Sequence, residues 1–203
     1  MLYNKLFDIT AILIFLMALS YHFYHEDMNH HYDVSASDKV IVEKAIVPEY
    51  KTVAYYDVPL NEELQDFIRI QCNDAGVDFE LVLAVMQVES DFQYDVVSPT
   101  HDHGIMQINE TNHQELKNKL NITDFLDPYD CTTAGIYMLS SYRWCENETQ
   151  MLMCYNMGVA GAKNAWNQGI YETDYTKKVL EAKKEIGGKK YEVKIFCDQD
   201  IKQ

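Results

Sequence analysis

The chain has 203 residues, 47% of them hydrophobic and 24% charged, which suffices for one globular domain with a buried core plus flanking segments. Seventeen Lys and Arg stand against thirty-two Asp and Glu, and the resulting net charge of -15 would repel a phosphate backbone, which argues against nucleic acid as a partner. The one basic cluster is the lysine series Lys177, Lys178, Lys183, Lys184, Lys189 and Lys190, interleaved with Glu181 and Glu185, and it reads as a solvated helix face.

In chain order, residues 9–19 are apolar except for Thr10, and the apolar character extends over 6–24 if Asp8 is tolerated, close to the lower limit for crossing a bilayer. Lys5 precedes this run and no Lys or Arg follows until Lys39, which orients the bulk of the chain outside. Residues 1–24 are therefore read as a membrane anchor, with Tyr21, Phe23 and Tyr24 at the interface. A cleaved signal peptide is the alternative, because Ala18 and Ser20 form a small-x-small pair. Residues 25–58 begin polar and rich in His and Asp, then turn β-branched and partly alternating, and read as an extended stalk that ends near Val58.

A domain over residues 59–187 reads as helices joined by short loops, so the expected fold class is all-α. Asn61 can cap a helix with Glu62 and Glu63 in its first turn and with Leu64, Phe67, Ile68 and Cys72 on one stripe. Gly76 breaks the chain, and Asp78 can cap a second helix that is apolar almost all round as far as Val88, so it belongs in the core. Further helices are expected over 112–120, 129–144, 148–157, 159–167 and 173–186, punctuated by Pro128, Gly158 and Gly169. The pair Gly187 and Gly188 ends the last one. In the tail over 188–203, residues 191–196 alternate like a short strand, with an irregular tail as the alternative.

Glu89 ends the apolar second helix on the same stripe as Val85 and Val82, so a carboxyl group is aimed at apolar surroundings. Desolvation disfavours its charged form, which is the tuning a carboxyl group needs to donate a proton near neutral pH. A structural Glu satisfied by hydrogen bonds or an Arg is the alternative.

Glu89 and Ser90 are followed by the block Gly104, Ile105, Met106, Gln107, Ile108, Asn109, and later by Cys154, Tyr155, Asn156, Met157, Gly158. In this order and at these separations the blocks resemble the Glu-Ser, Gly-Leu-Met-Gln and Ala-Tyr-Asn-x-Gly motifs of the lysozyme-like lytic transglycosylases. The resemblance runs over about residues 57–180 and takes in Phe125, Leu126, Asp127, Pro128, Gly135, Tyr137 and Tyr175. It implies a lysozyme-like helical domain acting on peptidoglycan glycan strands, with Glu89 as the only acid and base. Ser98 and Gln107 would hold the N-acetylated sugar beside the cut, and Tyr155, Asn156 and Tyr175 would line the cleft. Other cell-envelope proteins are candidate partners, and no cofactor or metal is implied.

The resemblance further implies that Glu89 protonates the oxygen leaving N-acetylmuramic acid, then takes the proton of the same sugar's 6-hydroxyl to close a 1,6-anhydro ring. Asp91, Asp95 and Asp102 remain candidates for a water-activating base, which keeps a hydrolytic muramidase open; a non-catalytic glycan-binding subunit is the rival of another class. The loop Thr100, His101, Asp102, His103 departs from the small residues of many relatives, lacks further metal ligands, and reads as an exposed cleft rim. Cys154 stands where relatives carry Ala. The five cysteines match no zinc or redox spacing; an odd count leaves at least one unpaired, and an oxidising compartment allows one bridge without the sequence naming its partners.

Overall fold

The computed structural model describes residues 49–197, which fold as six α-helices and two small antiparallel sheets. The expected anchor and most of the expected stalk lie outside the described residues, and among the described residues no helix is long and apolar enough to cross a membrane.

The domain is mostly helical rather than purely so. Strand β1 (Glu49–Tyr56) pairs with β4 (Lys190–Cys197), in a register that sets Tyr56 opposite Lys190 and Glu49 opposite Cys197. The end of the expected stalk and the alternating tail thus form one ribbon. It belongs to the folded unit because Tyr55 and Tyr56 are buried. Helix α1 (Glu62–Ala75) pins it through Gln65, itself 1% exposed, whose side chain accepts from the Tyr56 amide at 2.9 Å and donates to the Tyr56 and Leu60 carbonyls at 3.1 Å each. A buried amide with donor and acceptor both satisfied holds one geometry, whereas a half-satisfied one would cost stability.

The helices start where the capping residues place them. Asn61 accepts from the Leu64 amide at 2.8 Å to open α1, and Asp78 accepts from the Leu81 amide at 2.8 Å to open α2 (Phe79–Ser90). Gly76, at φ 65°, ends α1, and Asp91, at φ 50°, ends α2. Every side chain from Leu81 to Met86 is at most 1% exposed. Helix α2 is therefore the core of the domain, each large apolar side chain on it contributing about 1.5–3 kcal/mol of burial.

A hairpin of two-residue strands, β2 (Asp102–His103) and β3 (Ile108–Asn109), takes in part of the loop expected as a cleft rim, and a short 3₁₀ turn (Glu110–Asn112) leads from it into α3 (His113–Leu120). Helix α4 (Pro128–Ser141) stops short of Trp144, because its last turn tightens as the Tyr142 amide bonds Leu139. Helix α5 (Glu148–Asn167) is broken at Gly158, whose φ of 70° and ψ of 163° divide it into the two helices expected on either side. Helix α6 (Asp174–Gly187) carries a capping box of Thr173 and Thr176 and packs along α2. Its lysines are not all solvated, since Lys183 bonds Asp78 at 3.2 Å and Glu148 at 2.6 Å and so joins the starts of α2 and α5.

Gly104 fixes the hairpin against the rest of the domain. At φ 73° a Cβ there would lie 2.0 Å from the Phe125 carbonyl oxygen and 2.9 Å from the Cys131 sulfur. Backbone cannot yield as a flexible side chain can. Gly104→Ala is therefore expected to cost on the order of 2–4 kcal/mol, read as a fall of about 5–15 °C in the thermal unfolding midpoint.

Candidate active site

Glu89 sits in the last turn of α2, half-buried, and receives a hydrogen bond from the Tyr175 hydroxyl of α6 at 2.7 Å on Oε1. Burial pushes its carboxyl group up from the ordinary 4.5 to about 7; the Tyr175 bond pulls the other way, and the Asp102 charge adds to the rise. Burial and the neighbouring Glu89 carboxyl likewise hold the Tyr175 hydroxyl far above its usual range, so it remains a donor.

A polar cleft opens in front of this carboxyl group, lined by Glu89, Asp102, Gln107, Ile108, Asn109, Asn112, Met138, Tyr155 and Asn156. Five segments converge on it: the end of α2, the hairpin, the 3₁₀ turn with Asn112, α4 with Met138, and the first half of α5. Tyr155 is locked in place because its buried hydroxyl donates to the Met106 carbonyl at 2.8 Å, which ties α5 to the hairpin. Ser90, next to Glu89, does the same from α2 by donating to the Ile105 carbonyl at 2.9 Å. Gly135 of α4 leaves the space that Met106 fills, since a Cβ there would stand 2.2 Å from the Met106 sulfur.

Gln107 adopts φ 48° and spends its amide nitrogen on the carbonyls of Gly104 at 2.9 Å and Val96 at 3.3 Å. Its oxygen is the end left to face a ligand, so Gln107 offers an acceptor rather than the two-way contact that its side chain allows in isolation. Asn156 is exposed on the cleft wall.

Of the residues expected to act together, Glu89, Gln107, Tyr155 and Asn156 share this cleft, and Tyr175 stands behind the carboxyl group. Ser98 lies outside the lining. Its hydroxyl donates to Asp102 Oδ2 at 2.8 Å and accepts from the Asp102 amide at 3.0 Å, so it shapes the hairpin. Asp102 also accepts from Thr100 at 2.5 Å and from Asn109 at 2.8 Å. Burial alone would raise its pKa, but the donors Thr100, Asn109 and Ser98 outweigh it and hold the carboxyl group below the usual range. The loop expected as an exposed rim therefore turns partly inward: His101 is exposed, Asp102 enters the cleft, and His103 packs edge-on against His113 at 4.7 Å. Asp91 and Asp95 are exposed and stand outside the lining. Asn112 and Met138 are cleft residues that carry no local sequence signal, because a lone amide in a turn and a Met on a helix fit any surface.

The transglycosylase SLT domain model matches residues 66–179, more than half of the chain. The chain belongs to this family. It lies within the lysozyme-like lytic transglycosylase superfamily, and its fold has solved counterparts. One is an inactive mutant of the lytic transglycosylase Slt from Pseudomonas aeruginosa, with 18% identity, a TM-score of 0.54, and coverage of 64% of this chain and 24% of that one. Another is the 70 kDa soluble lytic transglycosylase of Escherichia coli, at 19% identity and TM-score 0.53 over 62% of this chain and 24% of that one. A 70 kDa soluble lytic transglycosylase in complex with bulgecin A matches at 20% identity and TM-score 0.53 over the same shares. The chain thus matches about a quarter of the length of each of these structures. No curated protein matches it.

The elevated carboxyl group has a thermodynamic signature. Unfolded, Glu89 titrates near 4.5; folded, near 7, so the folded state holds the proton across that window and loses stability as pH rises through it. Glu89→Gln removes the charge. Denaturant unfolding is expected to find the variant more stable than the parent by up to about 3 kcal/mol above pH 7, with the two converging below about pH 4.

Proposed function

We propose that the chain is a peptidoglycan lytic transglycosylase that cleaves the β-1,4 bond between N-acetylmuramic acid and N-acetylglucosamine. The observation that carries this is the half-buried carboxyl group of Glu89, raised to about 7 and opening on a polar cleft. Membership of the SLT family supports it, as does the likeness to solved lytic transglycosylases.

In this reading the two oxygens of Glu89 have different tasks. Oε1 takes the Tyr175 hydroxyl, so the proton resides on the other oxygen and is delivered from there to the leaving glycosidic oxygen. The substrate's acetamide stabilises the developing positive charge. Glu89, now a carboxylate, takes the proton of the 6-hydroxyl as the 1,6-anhydro ring closes, and no water is added. The Gln107 oxygen accepts an N–H of the acetylated sugar, Asn156 contacts hydroxyls, and the Tyr155 ring supplies a rigid wall. Ser98 contributes through the hairpin it braces. With this function goes a position outside the cytoplasmic membrane, held there by residues 1–24, which the apolar run and Lys5 support.

One observation favours a second reading, hydrolysis. Asp102 stays ionised in the same cleft, as a water-activating base must.

Digestion of purified wall followed by mass analysis of the muropeptides decides between them. Glu89→Gln is expected to lower product release by about 10²–10⁴-fold with the fold intact, and parental activity in that variant would remove Glu89 from its role. Anhydro ends, one water lighter than reducing ends, are expected from both the parent and Asp102→Asn. Reducing ends that vanish in Asp102→Asn would establish hydrolysis instead. Because the first step needs protonated Glu89, kcat/KM is expected to fall as pH rises through about 7.

A further inference from the structure

Cys145 and Cys154 meet away from the cleft, with their sulfurs 3.9 Å apart. Both are free thiols, and they share a small satellite core with Met153, Ala162, Met157 and Trp166. Cys154 is fully buried in the first half of α5, whereas Cys145 is half-buried in the turn that joins α4 to α5, outside any helix. The two side chains therefore differ in freedom. A disulfide needs about 2 Å less between the sulfurs than this contact shows, and a turn residue can rotate to close that gap while its helical partner stays fixed. Cys72 and Cys131 are buried apart from this pair, and the Cys131 sulfur is already engaged by the Met106 amide and the His103 carbonyl, each at 3.5 Å.

We propose that Cys145 and Cys154 are a disulfide-forming pair, oxidised by exchange with a donor disulfide, and that the bridge fastens the α4–α5 turn to the helix bearing Tyr155 and Asn156. Cys145, the more accessible thiol, loses its proton and attacks one sulfur of the donor, releasing one donor thiol and leaving a mixed disulfide. The Cys154 thiolate then displaces the second donor thiol. Two protons and two electrons leave the pair, and the donor disulfide becomes two thiols. Burial raises both pKa values, that of Cys154 to about 12, so exchange is slow at neutral pH and faster in mild alkali. The closed loop is short and its ends already touch, so oxidation chiefly restricts the unfolded chain.

The test equilibrates the full chain with oxidised glutathione near pH 8, alkylates the remaining thiols and maps peptides by mass, with thermal unfolding of both forms. The expected result is a loss of two hydrogens, a linked peptide joining Cys145 to Cys154, and a melting temperature about 5–10 °C higher than in the reduced form. Cys145→Ser and Cys154→Ala, two independent variants, are each expected to lose the bridge and the rise. The proposal is overturned by a folded parent whose two thiols both remain alkylatable, by a stable glutathione adduct on Cys145, or by a bridge to Cys72, Cys131 or Cys197. A Cys145 to Cys154 bridge without the rise overturns the fastening.

Discussion

The domain is organised around a carboxyl group at the end of a helix that has no solvated face. From Leu81 to Met86 the side chains of α2 are packed on every side, and the exit from that packing is the turn carrying Glu89. Desolvation acts on whatever group stands there, so the character of Glu89 follows from the burial of its own helix rather than from a dedicated partner. Helix α6 packs along α2 and delivers Tyr175, α1 packs against α2 as well, and Ser90 ties the end of α2 to the hairpin at Ile105. The hydrophobic core and the chemistry are one piece of construction.

Two carboxyl groups share the cleft and are driven in opposite directions. Glu89 has one strong donor and much burial, and leans toward its neutral form; Asp102 has three side-chain donors and leans toward its anion. The Asp102 charge also adds to the rise at Glu89. Separation of this kind gives two similar side chains different protonation states at one pH.

What the sequence made legible was local. The caps at Asn61 and Asp78, the break at Gly158 and the stripe that ends at Glu89 all depend on residues within a turn or two of each other, where periodicity and capping chemistry operate. The gathering of Gln107, Tyr155 and Asn156 was legible through motif order, not through physics. The ribbon was half legible: residues 191–196 alternate, but their partners in β1 stand far away in the chain, and pairing at that range leaves no local trace. Strands of two residues are too short for any period, so the hairpin that brings Asp102 into the cleft and bonds it to Ser98 was hidden. Lys183 was misread among the solvated lysines for a related reason, because its acidic partners Asp78 and Glu148 come from two other helices.

The register of the ribbon has a mechanical side. With Glu49 opposite Cys197, the polypeptide enters and leaves the folded unit at the same place, and the rungs run inward from there to Tyr56 and Lys190. Tension applied between the two ends loads these rungs one after another, as a zipper opens, instead of shearing them together. The last rung, Tyr56 opposite Lys190, is also the one that Gln65 of α1 clasps, so an opening zipper meets this clasp at its inner end. The ribbon is thus the first part of the described fold that a pull on both ends would load.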